Sequence, residues 1–173
     1  MSDTLVTIVA IGLAAVLMFV FPLMTMSDRT DDVSKLTVET ATTEFVDEIR
    51  TTGKITPDKY SKFLENIAST GNTYNVEMEV KVKDENPGKK TTQTAKDKIG
   101  ENVYYSVYTS QIEEKLNNDQ SYKLKEGDIV SVNVKNTNQT LSQQLKNFFY
   151  SVVGKDTYTI AASHAGIVTA TGK

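Results

Sequence analysis

The chain has 173 residues, with 19 basic and 22 acidic side chains, a net charge of −3, no cysteine and one histidine, His164. These counts exclude a disulfide scaffold, a thiolate metal site, a cysteine nucleophile and any centre that needs two imidazoles. The near balance of charge, slightly acidic, argues against a nucleic-acid partner, which wants a basic face to neutralise phosphates.

The first element is an apolar run. Residues 4–27 carry no charge. As a helix they would extend roughly 36 Å, against a hydrocarbon core of about 30 Å. Leu5, Ile8, Ile11, Val16, Phe19 and Leu23 would meet lipid, so 1–27 reads as a transmembrane anchor. The threonines inside the run can return their hydroxyls to helical carbonyls, and Pro22 lies near the far end, where a kink costs least. Gly12, Ala14 and Ala15 make one side small enough for close contact with another helix, a second copy included. A cleaved signal peptide would want a basic start and an A-x-A-like site. The chain instead starts Met-Ser-Asp and leaves the run through Met24-Thr25-Met26-Ser27. Counting Arg29 and Lys35 beyond the run would place the tail in the cytoplasm, but Asp28, Asp31 and Asp32 sit among them and long domains translocate regardless of charge.

Residues 28–173 read as one α+β domain, with 84–100 as a mobile loop. Asp28, Asp31 and Asp32 lack the order of a calcium loop and read as a hydrated collar beside the anchor. This stretch either breaks the helix or lets it continue. Val38, Ala41, Phe45, Val46 and Ile49 recur at helical spacing, and Gly53 follows as the stop. Thr56-Pro57-Asp58 opens a second helix, with Thr as N-cap, Pro in the first turn and an acid beside it. Tyr60, Phe63, Leu64 and Ile67 form its stripe, so the two should fold back as an αα-hairpin.

Tyr74, Val76, Met78, Val80 and Val82 alternate with polar residues, giving a strand with one dry and one wet face. Tyr104, Tyr108, Ile112 and Leu116 recur every four residues, so 103–116 is expected as a helix. Val130, Val132 and Val134 mark a further strand. Thr140-Leu141-Ser142-Gln143 then reads as a capping box, opening a helix with Leu141, Leu145, Phe148, Phe149 and Val152 on one face. The last strand is expected over about 156–169, with Tyr158, Ile160, Ala162 and His164 sharing a face. The economical architecture is a small antiparallel or mixed sheet packed by helices on one face.

No motif in the chain points to catalysis. His164 has no acid or nucleophile fixed near it by the sequence and reads as a half-buried structural residue. Glu77 and Glu79 fall on a wet strand face and Glu113 and Glu114 on a helix surface, neither being the buried, convergent pair that acid–base chemistry needs. Lys89, Lys90, Lys96 and Lys98 are diluted by nearby acids and read as a solvated loop. The chain is therefore expected to be no enzyme, with no cofactor and no metal. The surplus of tyrosine is the remaining signal. Tyr104, Tyr105, Tyr108 and Tyr150 suit a protein interface, because tyrosine joins a large apolar area to a polar tip, with core packing as the alternative.

The run Gly127-Asp128-Ile129-Val130-Ser131-Val132-Asn133-Val134, the helix through Leu141 and Leu145, and the run Tyr158-Thr159-Ile160-Ala161-Ala162-Ser163-His164-Ala165 resemble the strand–helix–strand ending of TadE-like minor pseudopilins of Tad-type pili and type IV-related secretion systems. The segments Thr42-Thr43-Glu44-Phe45-Val46-Asp47 and Thr70-Gly71-Asn72-Thr73-Tyr74 are similar to membrane-anchored proteins of Gram-positive pilus-like clusters. The resemblance implies a single-pass protein with an extracytoplasmic head, a structural subunit whose partners are membrane lipid and other pilin-like or secretion-apparatus subunits. Prepilins carry a basic leader and an early glutamate. No Lys or Arg precedes the apolar run here and no acid lies within it, so an accessory or platform subunit fits better than a filament pilin. The alternative is a membrane-anchored extracellular binding module for a cell-wall or other ligand. An enzyme built on an unrecognised acid pair is a distant third.

Overall fold

The computed structural model describes residues 2–84, 104–150 and 159–173, without the side chains of Ser2 and residues 148–150. A single helical rod opens the chain. It comprises α1 (Ser2–Ala15), one π turn (Val16–Val20) and α2 (Phe21–Thr52). Pro22 gives the wider turn a physical reason. Its ring crowds the carbonyl of Met18 and it offers no N–H, and the π turn opens the ladder at that point. The rod runs through 28–32 without a break. Its many hydroxyls are satisfied locally: Thr7, Thr25, Thr30, Ser34, Thr37 and Thr42 each donate to the carbonyl four residues back.

Gly53 stops the rod as expected. It adopts φ +66°, and its N–H donates to the Ile49 carbonyl at 2.8 Å. The chain then makes β1 (Lys54–Ile55) and α3 (Pro57–Ala68), capped by the Thr56 hydroxyl, which accepts from the Lys59 N–H. Helix α3 folds back on α2, where Phe45 and Phe63 stack with centroids 4.4 Å apart.

The main sheet has four antiparallel strands in the order β3-β2-β5-β6: β2 (Tyr74–Lys83), β3 (Tyr104–Tyr108), β5 (Ile129–Asn136) and β6 (Ala161–Ile167). A second, two-stranded sheet pairs β1 with β4 (Tyr122–Lys123). Helix α4 (Thr109–Asn117) packs on β2 and β3, and α2 lies across β5 and β6, so both cover the same face. Helix α5 (Leu141–Tyr150) follows β5 and packs on α2. The core lies between the sheet and these helices. Val46, Ile49, Val80, Ile112, Val130, Val132 and Val134 are fully buried there.

Two expectations need correction. Residues 104–108 are a strand, not the start of a helix, and the helix begins only at Thr109. Pairing with β2 over five positions, from Glu79↔Tyr108 to Lys83↔Tyr104, decides the matter, because a backbone ladder outweighs an i+4 recurrence that five residues also satisfy as a strand. The Thr109 hydroxyl then ends the ladder by accepting from the Met78 N–H at 2.7 Å. The acidic collar is the second. Asp31 is buried, and both Asp28 and Asp31 are hydrogen-bonded to residues at the start of α5. The last strand is shorter than expected, at 161–167, and Tyr158 lies outside the described residues. Beyond Asp84, the loop expected over 84–100 and its four lysines lie outside them as well.

Candidate functional site: the apolar rod, its junction and the open sheet face

One helix among the described residues, Asp3–Thr52, is long and apolar enough to cross a membrane, and its apolar window has no buried residue. Leu5, Ile8, Ile11, Val16, Phe19 and Leu23 are all exposed. A core helix would show the opposite, because its apolar side chains would be covered by protein. The first buried residue along the rod is Ser27. From there a continuous stripe of Ser27, Asp31, Ser34, Val38, Ala41, Phe45 and Ile49 is buried at i, i+3 and i+4 spacing. The same rod is therefore bare in its first half and the spine of the head in its second.

The junction is built from polar contacts. Thr140 caps α5: its hydroxyl accepts from the Gln143 N–H at 3.2 Å, while the Gln143 side-chain carbonyl accepts from the Thr140 N–H at 3.1 Å. The hydroxyl of Thr140 donates in turn to Asp31 at 2.6 Å. One turn below, Asp28 accepts from Ser142 and pairs with Lys146 at 2.5 Å. Burial pushes the Asp28 carboxyl upward, but the hydrogen bonds and charge of Lys146 and Ser142 outweigh it and hold it below its ordinary value. These partners lie more than a hundred positions from the acids, so no local spacing announces them.

The open face of the sheet is the other candidate surface. Register places Glu77, Glu79, Lys81, Tyr104, Tyr108, Ser131, Asn133 and Ser163 on the side away from α2 and α4. Tyr108 and Glu79 rim a shallow depression of about 390 Å³ floored by Ser131, Asn133 and Ser163. The tyrosines expected to act together are divided. Tyr104 and Tyr108 share this open face, whereas Tyr105 alternates to the other side and lies near Tyr122 and Lys115. Tyr150 ends α5, and its side chain lies outside the description. Ser131, Asn133 and Ser163 were not singled out from sequence; the period-2 alternation of their strands is the signal that places them.

The carboxylates do not converge. Glu79 accepts from Ser106 at 2.7 Å and Glu77 from Asn75 at 3.2 Å, both on the open face. Glu113 lies on the opposite side and accepts from the Tyr60 hydroxyl at 2.6 Å. Burial, reinforced by Glu113, raises the Tyr60 phenol well above its usual range. His164 is half-buried, with Nε2 3.7 Å from Asp47 and without a hydrogen-bond partner. No group of three or more metal-ligating side chains occurs among the described residues. No family model, curated protein or solved structure matches the chain.

Proposed function

We propose that this chain is a non-enzymatic, single-pass membrane subunit of a pilus-like or secretion assembly, with its α+β head on the extracytoplasmic side. The observation that carries the reading is the rod. One helical rod, with a single π turn in it, begins as a bare apolar segment and ends as the central core element of the head. Lateral packing of such a rod in the bilayer, helped by the small side at Gly12, Ala14 and Ala15, brings heads into register without a separate linker. Anchoring also raises the effective concentration of partners, so weak head contacts suffice. The apolar run 4–27 holds no acid, unlike the early glutamate of prepilins, and this favours an accessory or platform role.

The test is purification of the full chain from its native membrane in mild detergent. Co-purification of a secretion ATPase, an inner-membrane platform protein or other pilin-like subunits supports the reading, as does resistance of the membrane-bound chain to carbonate washing. A second reading, a membrane-anchored binding module, is favoured by the open sheet face with Tyr104, Tyr108 and the depression at Asn133. Recovery of a lone monomer that binds glycan would favour it instead.

A further inference from the structure

The first turn of α5 faces the protein with polar side chains. Its polar residues Ser142 and Gln143 are 1% and 5% exposed, whereas Leu141 is 51% exposed. The cause lies on α2: Asp28 and Asp31 consume the polar side of α5 as their hydrogen-bonding partner. Leu141 and Leu145 share a face by their spacing, with Leu141 exposed and Leu145 half-buried. A helix of a water-soluble domain has the reverse arrangement, with its apolar stripe on the core.

The level at which α5 docks identifies what meets that face. Ser142 and Lys146 reach Asp28, the first charged residue after the charge-free run 4–27. For an anchor whose run fills the hydrocarbon core, residue 28 stands at the headgroups. The stripe of the rod that receives α5 also continues toward lipid. Met24 and Val20 precede Ser27 and Asp31 on the same face, and both are half-buried, while Phe19, Phe21 and Leu23 are exposed.

We propose that α5 is an interfacial membrane helix, with its Leu141 face in the acyl–headgroup boundary of the leaflet where the anchor emerges, so that the lipid surface is the occupant of this face. Lys146, on the opposite side of α5, neutralises Asp28 where the local dielectric falls. The head is then held to the bilayer at two points rather than one. This inference rests on the anchor reading above.

The absence of cysteine makes site-directed spin labelling direct. The full chain is reconstituted in phosphatidylcholine–phosphatidylglycerol vesicles with one label at Leu141→Cys, Ile11→Cys or Asn133→Cys, and collisions with oxygen and with an aqueous nickel chelate are compared. The Leu141 label is expected to favour oxygen and to lie about 5–10 Å below the headgroups, with the Ile11 label deeper and the Asn133 label aqueous. A label at Leu145→Cys repeats the reading away from the cap. An aqueous Leu141 label beside a lipid-embedded Ile11 label overturns the interfacial helix and leaves the anchor standing. An aqueous Ile11 label overturns both. A Leu141 label shielded from both reagents means that protein covers this face, which also overturns the proposal.

Discussion

Thr140 donates its hydroxyl to Asp31 at 2.6 Å inside the protein, joining residues 109 positions apart in the chain. That hydroxyl also receives the Gln143 N–H, so one side chain caps α5 and fastens it to α2. Thr140→Val keeps the shape, strands a buried carboxyl and removes the cap. The full chain in detergent should lose about 2 kcal/mol or more in denaturant unfolding. Asp31→Asn, which keeps an acceptor, should cost less. Equal losses for the two variants would mean that the hydroxyl–carboxyl contact is not what holds the junction.

Gly53, at the end of the rod, lies against the backbone of residues 170–172. A Cβ there would fall 2.2 Å from the Ala170 carbonyl oxygen and 2.4 Å from the Gly172 nitrogen, at a φ of +66°. The backbone conformation alone costs an L-residue about 1–2 kcal/mol, and the contacts add to it. Gly53→Ala should therefore lower the melting temperature clearly, whereas Gly71→Ala, also at positive φ but with open space around it, should lower it less. Calorimetry on the two variants decides this.

Two apolar residues of one helix should answer differently to truncation. Ile49 is fully buried and Leu36 is 64% exposed. Ile49→Ala should cost about 2–5 kcal/mol, and Leu36→Ala no more than about 0.5 kcal/mol. Urea titrations of both variants read the contrast directly.

Acid should loosen the junction before it reaches the core. The Asp28 carboxyl is held below its ordinary value of 3.8 by Lys146 and Ser142, against the opposing effect of burial. A depressed folded value means that the contribution is complete above pH 3.8 and drains away as pH falls through the lower folded value. The stability of the wild type should drop over that window, and Asp28→Asn should flatten that part of the profile. An unchanged profile in Asp28→Asn would assign the acid sensitivity to other carboxyls.

The parts of the fold legible in the sequence are those with local chemistry. The stripe from Val38 to Ile49, the Thr56 cap, the alternation around Met78 and the Thr140–Gln143 box all rest on neighbours within a few positions. The two-residue strands β1 and β4 carry no period to detect. Tyr104 to Tyr108 shows how a four-residue recurrence fails: it fits a helix face and, equally, alternate positions of a strand, and only the ladder to β2 chooses. The purpose of Asp28 and Asp31 was hidden because their partners come from the far end of the chain. The same distance hid the divided tyrosines, since the outward side of β3 is known only once the helices have chosen theirs.

The continuity of α2 from Phe21, below the head, to Thr52 in its core has a mechanical consequence. Because α2 is packed along β5 and β6, a rotation of α2 about its long axis carries the sheet with it. Under the proposed anchoring, a tilt of α2 at the bilayer surface would thus be converted into motion of Tyr108 and the face around it.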